Sequence, residues 1–156
     1  MSYKGIYKPS NPKKYKGNQH NIIYRSLWER KFMNYCDLNE NILEWASEEF
    51  WIPYLDPTTN RVRRYFPDFF IKYKDKDSNI RRSVIEVKPM RETLEPKVTK
   101  GKSRKTMINE SLTYVKNQAK WKAAREFCDD RKLEFKIMTE KELGCLLYTS
   151  PSPRDS

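Results

Sequence analysis

The sequence predicts a mixed α/β domain with a small central β-sheet flanked by helices. Apolar residues recur at helical spacing in two segments, and runs rich in aromatic and β-branched residues lie between these segments and after the second. The predicted order is therefore helix, three strands, helix, strand. A length of 156 residues suits one compact domain, or a domain with ragged ends.

Both long helices are predicted from this apolar spacing. The first is expected to begin at Ser26-Leu27 and to end near Leu38, because Trp28 and Phe32 lie one helical turn apart. The second is expected over residues 106–129. One face of the second helix carries regularly spaced apolar residues, namely Ile108, Leu112, Val115, Ala119, Ala123 and Phe127.

Four strands are predicted, three of them between the two helices. Residues 42–45 read as a short turn, and Pro53 interrupts the first strand. Pro67 inside the second strand indicates an edge or a bulge. Thr139-x-x-Glu142 is expected to cap a last short helix. The strands are expected over residues 49–55, 61–73, 82–88 and 133–138, with turns at 56–60 and 75–79.

The two ends of the chain are set apart from the folded domain predicted over residues 25–144. Residues 1–24 are basic, and tyrosine, glycine and proline interleave with the lysines, which predicts an irregular arm without helix or strand. This arm is either a flexible solvated leader or a DNA-contacting segment. Residues 145–156 resemble a translated sequencing-library adapter and are interpreted as a non-native tail. A natural Ser/Pro tail is the other interpretation.

The charge of the chain points to a polyanionic partner. Lys and Arg number 32 against 21 Asp and Glu, a formal net charge of +11, so nucleic acid is the leading candidate. No long uncharged apolar run or signal-peptide pattern is present, so no membrane partner is expected. Three widely spaced cysteines and one histidine predict neither a disulfide framework nor a zinc site, and a reducing cytosol is the natural compartment.

Phosphate contacts are expected from the basic residues of the arm, the strand near residue 61, the loop at 97–105 and the long helix. Such contacts position DNA without reading its sequence. For any one of these residues, a solvated surface charge is the alternative. The candidates are Lys13, Lys14, Lys16, Arg25, Arg61, Arg63, Arg64, Lys97, Lys100, Lys102, Arg104, Lys105, Lys116 and Lys120.

A predicted hairpin brings two acidic residues together. If its centre lies near Asp77, Asp68 and Glu86 are nine residues before and after it, so they are opposite each other on one face. Lys88 joins them because alternate residues of a strand point the same way. Ile85 points to the opposite, apolar layer.

Two adjacent carboxylates in a half-buried strand pair are costly unless a cation or a shared proton compensates. Asp68 and Glu86 are therefore candidate ligands of a divalent metal, Mg²⁺ or alternatively Mn²⁺. Lys88 could orient or deprotonate the attacking water, or stabilise charge on a phosphate. The alternative is a salt-bridged surface, but the hydrophobic flanks of both acids favour burial.

Glu29 has two possible roles. Ser26-x-x-Glu29 matches a capping box, in which the Glu29 carboxylate would only bond the Ser26 backbone. The alternative is a third acid that leans over the sheet to hold a metal or a metal-bound water. The capping pattern favours the first role.

Several motifs resemble one family of nucleases. Pro67-Asp68 with Glu86-Val87-Lys88 looks like the PD-(D/E)XK nuclease signature. The wider pattern resembles the head completion proteins of large contractile-tailed phages of the T4 type, and is similar to the TnsA transposon endonucleases. It comprises Tyr24-Arg25-Ser26-x-Trp28-Glu29, Trp45-x-Ser47-Glu48, Ile52-Pro53-Tyr54, Arg64-Tyr65-Phe66-x-Asp68-Phe69, Ile85-Glu86-Val87-Lys88-Pro89 and Asn117-x-x-Lys120-Trp121-Lys122-Ala123-Ala124.

This resemblance implies a restriction-endonuclease-like core and Mg²⁺-dependent cleavage of double-stranded DNA. Asp68, Glu86 and Lys88 carry over as the catalytic trio, and Glu29 as a fourth catalytic residue. The resemblance also implies a role in finishing the DNA-filled capsid, with capsid or portal proteins as partners and the host cytoplasm and virion as locations. The alternatives are a non-catalytic DNA-binding completion protein of the capsid or portal, and a TnsA-like transposon or junction endonuclease.

Overall fold

The computed structural model describes residues 4–148. The strands are β1 (Gly5–Ile6), β2 (Ile23–Tyr24), β3 (Ile42–Ser47), β4 (Ile52–Asp56), β5 (Arg61–Tyr65), β6 (Phe69–Lys74), β7 (Ile80–Val87) and β8 (Glu134–Met138). The helices are α1 (Leu27–Leu38), α2 (Met90–Thr93), α3 (Arg104–Asp130) and α4 (Glu140–Tyr148), and Pro12–Lys14 forms a 3₁₀ turn. The mixed α/β class predicted from the sequence is confirmed.

A four-stranded mixed sheet with the order β3-β6-β7-β8 forms the centre of the fold. β6 is antiparallel to both β3 and β7, whereas β8 is parallel to β7. The parallel pair requires a crossover, and α3 lies within it between β7 and β8. The β4–β5 hairpin forms a separate two-stranded sheet.

Two hydrophobic clusters hold the helices to the sheets. On one side, Phe32 of α1 packs with Trp45 of β3, Phe69 of β6 and Ile85 of β7, and all four are buried. The second cluster joins the β4–β5 hairpin to α3 through Tyr65 and other buried residues. The central sheet is thus positioned between α1 and the layer that α3 and the hairpin form.

Only the second half of α3 packs in this way. Its buried residues are Asn117, Trp121, Ala124 and Cys128. Within the predicted apolar face, Ala119, Ala123 and Phe127 pack against the second cluster. The earlier members of that face, Ile108, Leu112 and Val115, are 50%, 45% and 42% exposed.

The arm of residues 1–24 differs from the irregular segment expected. β1 and β2 pair antiparallel within it, and Tyr7, Tyr15 and Ile22 are buried in the first cluster. The buried carboxylate of Asp37 accepts hydrogen bonds from the Tyr7 hydroxyl at 3.2 Å and from the Ser10 backbone N–H at 2.7 Å. The described part of the arm, residues 4–24, therefore packs on the domain because a buried acid holds it.

Three strand predictions were wrong. Pro53 does not interrupt its strand but pairs with Arg64 within β4. Residues 42–45, expected as a turn, belong to the edge strand β3. The single strand expected over residues 61–73 is divided into β5 and β6, which belong to different sheets. Pro67 is therefore neither at a sheet edge nor in a bulge, but in the break between two strands.

The other predicted elements lie within a few residues of those observed. Thr139 caps α4 as expected, because its Oγ1 accepts from the Lys141 backbone N–H at 3.3 Å and its own backbone N–H donates to the Glu142 carboxylate at 2.8 Å. Of the predicted non-native tail, residues 145–148 continue α4, and residues 149–156 lie outside the described residues. No helix in the described range 4–148 is long and apolar enough to cross a membrane.

Candidate active site

Asp68 and Glu86 are neighbours where β6 begins and β7 ends. The register pairs Phe69 with Ile85, so Asp68, one residue before β6, comes opposite Glu86. The Val87 backbone N–H donates to Asp68 Oδ2 at 2.8 Å, which joins the break before β6 to the end of β7. The predicted register of this hairpin is confirmed.

Both carboxyl groups of this pair are poorly solvated. Glu86 is 5% exposed, and burial raises its pKa above the ordinary value. Burial raises the pKa of Asp68 well above the ordinary value, and the charges of Glu86 and then Glu29 raise it further. Desolvation and like charge both oppose ionisation of this pair, so a compensating cation or a shared proton is required at neutral pH.

Three side chains oppose the effect of burial on the pKa of Glu86. Lys88 Nζ lies 3.7 Å from Glu86 Oε2, and the Tyr65 hydroxyl donates to Oε1 at 2.8 Å. These two groups, and then Lys120, lower the pKa of Glu86 against the effect of burial. Lys88 therefore lies beside the acids as its position in the predicted strand indicated.

Glu29 caps α1 and also faces the acidic pair. Its backbone N–H donates to Ser26 Oγ at 3.1 Å, which is the first half of the predicted capping box. The second half differs, because Glu29 Oε1 accepts from the Arg25 N–H at 3.1 Å. Burial raises the pKa of Glu29, and the charges of Glu48 and Glu86 contribute in the same direction. A cap therefore accounts for the hydrogen bonds of Glu29, but its carboxylate also interacts with the site.

The donor set fits one kind of metal. No group of three or more His, Cys, Asp and Glu side chains in the described residues is placed to hold a metal ion. Asp68 and Glu86 supply two carboxylates with only partial compensation from Lys88. Mg²⁺ is commonly held by one or two carboxylates and keeps several waters, so this pair fits it without a third protein ligand.

Several residues predicted to contact phosphates have protein partners in the structure. Lys14 donates to the carbonyl oxygens of Asp37 and Asn39 at 3.0 and 2.8 Å, so it holds the arm. Arg63 Nε and Lys116 Nζ lie 3.0 and 3.9 Å from Oδ2 of Asp56, whose side chain is fully buried.

Four more of the predicted cations are paired at the surface. Arg25 bonds the Glu48 carboxylate, and Lys16 Nζ lies 3.5 Å from Glu44. Lys102 Nζ lies 2.9 Å from Glu110, and the Arg64 guanidinium lies 4.9 Å from the centre of the Trp51 ring. The remaining candidates apart from Lys120 are exposed, namely Lys13, Arg61, Lys97, Lys100, Arg104 and Lys105.

The sequence did not identify one residue of the site, Tyr65, and it did not show how a second residue, Lys120, is buried. Tyr65 was not identified, because only the separate β4–β5 sheet directs its hydroxyl to Glu86. Lys120 was predicted as a DNA contact on the long helix, and in the structure it is half-buried over the rings of Tyr54 and Tyr65. The motif containing Asn117 and Lys120 was the available signal for a role of α3 near the site.

Two comparisons with known proteins show which family the chain resembles. A family model described as TnsA-like endonuclease N terminal matches residues 39–140. That range contains Asp68, Glu86, Lys88 and Lys120. The head completion nuclease of Enterobacteria phage T4 is 38% identical over 149 residues, a match that covers 94% of this chain and 97% of the relative.

Proposed function

The chain belongs to the TnsA-like endonuclease family, and from this membership we propose that it is a metal-dependent endodeoxyribonuclease that hydrolyses phosphodiester bonds of double-stranded DNA. The observation that carries the proposal is the pairing of Asp68 with Glu86 beside Lys88. A salt-bridged surface would leave these acids solvated, whereas Glu86 is buried. A buried Glu86 and a half-buried Asp68 that repel each other beside one lysine are suited to a metal and a phosphate.

Asp68 and Glu86 would hold Mg²⁺ or Mn²⁺, and the bound ion would supply Lewis-acid stabilisation of the phosphate and lower the pKa of a water. In hydrolysis a water oxygen forms a bond to phosphorus, one phosphorus–oxygen bond to a sugar breaks, and that sugar oxygen takes a proton. Lys88 would orient the water and stabilise negative charge on the phosphate. Glu29 would hold a water of the site through its carboxylate.

The biological setting is inferred from the relative. Because the chain resembles a head completion nuclease over nearly its whole length, we infer that it trims or processes packaged DNA during completion of phage heads. Capsid or portal proteins would then be its partners, in the host cytoplasm and in the virion. Complementation tests this role: the wild-type gene should restore infectious particles to a phage that lacks its head completion nuclease, and the Asp68→Asn gene should not.

Cleavage of supercoiled plasmid tests the enzymatic proposal. The wild-type protein should produce nicked or linear DNA with Mg²⁺ or Mn²⁺ and none with EDTA. Asp68→Asn and Glu86→Gln should reduce the rate by at least about 100-fold. Asp77→Asn, in the exposed turn of the same hairpin, is the matched control and should cleave like the wild type.

Two outcomes would reject this proposal. One is a wild-type protein that binds DNA but cleaves none with either metal, as a non-catalytic completion protein would. The other is equal cleavage by the wild type and Asp68→Asn. Metal binding has an independent readout, because Mg²⁺ should raise the Tm of the wild type and leave that of Asp68→Asn unchanged.

A further inference from the structure

Lys120 occupies an unusual position for a lysine of a surface helix. It lies in the half of α3 that packs on the β4–β5 hairpin, and it is half-buried. Its Nζ lies 5.8 Å from the ring centres of both Tyr54 and Tyr65. Two aromatic faces therefore hold the ammonium group in one place.

The ammonium of Lys120 lacks the carboxylate partner that its neighbours have. Lys88 Nζ lies 3.7 Å from Glu86 Oε2, and Lys116 Nζ lies 3.9 Å from Asp56 Oδ2. Within residues 4–148, no carboxylate oxygen lies within 4.0 Å of Lys120 Nζ. The described residues also offer Lys120 Nζ no hydrogen-bond acceptor, so its three N–H donors are available to an external acceptor.

The position of Tyr65 connects this ammonium to the acidic pair. The Tyr65 ring lies under Lys120, and the Tyr65 hydroxyl donates to Glu86 at 2.8 Å. Burial lowers the pKa of Lys120, and the charge of Glu86 is the largest influence that opposes this. A phosphate bound to a metal at the acidic pair would thus lie close to Lys120.

We propose that Lys120 is a second active-site lysine, which binds a non-bridging oxygen of the phosphate that is cleaved. This role rests on the proposed nuclease function and adds a residue from α3 to the site formed by β6 and β7. A partly desolvated cation costs free energy when unpaired, and a phosphate oxygen would supply the missing acceptor. The competing explanation is a structural lysine that only offsets the charge of Glu86.

Three variants of the full chain distinguish these explanations. Lys120→Met removes the charge and retains length, Lys120→Arg retains the charge, and Lys122→Met is the matched control at an exposed position of the same helix. We expect kcat for plasmid cleavage to fall about 100-fold in Lys120→Met, because one electrostatic contact to a reacting group has roughly that effect. Lys120→Arg should recover at least about tenfold of this loss, and Lys122→Met should remain within about twofold of wild type.

Binding to a DNA duplex in Ca²⁺ gives a readout that does not depend on cleavage. The slope of log K against log salt should decrease by about one in Lys120→Met and should not change in Lys122→Met. A lysine that only neutralised Glu86 would leave this slope unchanged. If Lys120→Met fails to give the wild-type circular dichroism spectrum, Lys120→Gln replaces it in both measurements.

The proposal for Lys120 is overturned by an unchanged salt slope, by cleavage of Lys120→Met within threefold of wild type, or by an Arg variant no better than Met. Absence of cleavage by the wild-type protein would reject the nuclease function instead. In that case the salt slope alone decides whether Lys120 contacts a phosphate.

Discussion

The Tyr65 hydroxyl donates a hydrogen bond of 2.8 Å to Oε1 of Glu86, a carboxylate that is almost fully buried. Tyr65 ends β5 of the hairpin sheet, whereas Glu86 lies in β7 of the central sheet. The bond therefore joins two separate sheets at the candidate site. It also supplies a neutral donor that favours the ionised form of Glu86.

Tyr65→Phe should weaken both stability and cleavage. Loss of the hydroxyl leaves a buried carboxylate oxygen without its donor, at a cost of about 1–3 kcal/mol in the free energy of unfolding. The pKa of Glu86 should rise further, because the Tyr65 hydrogen bond lowers it in the wild type. We therefore expect the acidic limb of the pH–rate profile to move to higher pH, measured by plasmid cleavage across a pH series.

Tyr54→Phe is the control for this variant. The Tyr54 ring also lies under Lys120, but its hydroxyl is not bonded to Glu86. The acidic limb of the pH–rate profile of Tyr54→Phe should coincide with that of the wild type. An unshifted limb in Tyr65→Phe, or an equal shift in both variants, would contradict the role assigned to this hydrogen bond.

Asp68→Asn should stabilise the metal-free protein while abolishing cleavage. The substitution removes a desolvated charge beside Glu86 and retains an oxygen that can accept from the Val87 N–H. Relief of strain at functional sites commonly increases the free energy of unfolding by about 0.5–2 kcal/mol. Urea denaturation in EDTA at about pH 8 measures this free energy of unfolding for both proteins. A variant less stable than wild type would show that the pair is not repulsive.

The stabilisation by Asp68→Asn should depend on pH. The folded-state pKa of Asp68 is raised above the ordinary value of 3.8, so the folded protein binds the proton more tightly than the unfolded chain does. This contribution to stability is fully present below about pH 3.8 and is lost as pH rises through the raised pKa. The wild type and Asp68→Asn should thus have similar stabilities at acidic pH, and their difference should grow toward alkaline pH.

The unfolding curves of both proteins at each pH check this expectation. Comparison of the wild type with Asp68→Asn cancels the titrating groups that lie away from the acidic pair, including Glu134, whose pKa is lowered to about 2 by hydrogen bonds that outweigh burial. A group with a lowered folded-state pKa, such as Glu134, contributes stability that is lost as pH falls, which is the opposite of the pH dependence of Asp68. A difference that stays constant between acidic and alkaline pH would contradict the raised pKa of Asp68.

Glu29→Gln should separate the two roles of Glu29. The amide retains an oxygen acceptor for the Arg25 N–H, so the helix start should survive with a nearly unchanged Tm. Cleavage should fall at least about tenfold if the carboxylate charge serves the site.

Ser26→Ala is the reverse case, because it removes the acceptor of the Glu29 N–H at the start of α1. It should lower the free energy of unfolding by about 0.5–2 kcal/mol. The cleavage rate of the folded protein should not change.

Arg61 and Arg63 should respond differently to replacement by leucine. Arg63 lies 3.0 Å from the buried Asp56 carboxylate, so Arg63→Leu should lower the Tm by several degrees. Arg61 is exposed, and Arg61→Leu should leave the Tm unchanged but reduce the salt slope of DNA binding by about one. Thermal melts and binding titrations at several salt concentrations test both. A lower Tm with an unchanged salt slope in Arg61→Leu would exclude Arg61 as a phosphate contact.

The pairing of Asp68 with Glu86 was predictable because a hairpin is a local structure. A turn centred near Asp77 determines which residues are opposite each other, so equal spacing on both sides was sufficient. The position of Lys120 was not predictable in this way. It depends on the packing of α3 against the β4–β5 hairpin, and helical periodicity does not specify the partner of a helix.

The errors in the fold have a similar origin. The aromatic run through Phe66 and Phe69 reads as one strand, because membership of two different sheets leaves no periodicity signal. The arm looked irregular because Tyr7 and Tyr15 are isolated apolar residues among lysines. Their burial depends on long-range hydrogen bonds, such as that of Tyr7 with Asp37.

The site residues are separated by different distances along the chain, and these distances affect the order in which the residues come together during folding. Asp68 and Glu86 meet by closing a short loop, which is fast and entropically cheap. Glu29 and Lys120 join only after α1 and α3 have docked from distant positions in sequence. A partly folded chain would therefore contain the acids without these partners, so full assembly of the site should coincide with the last docking steps.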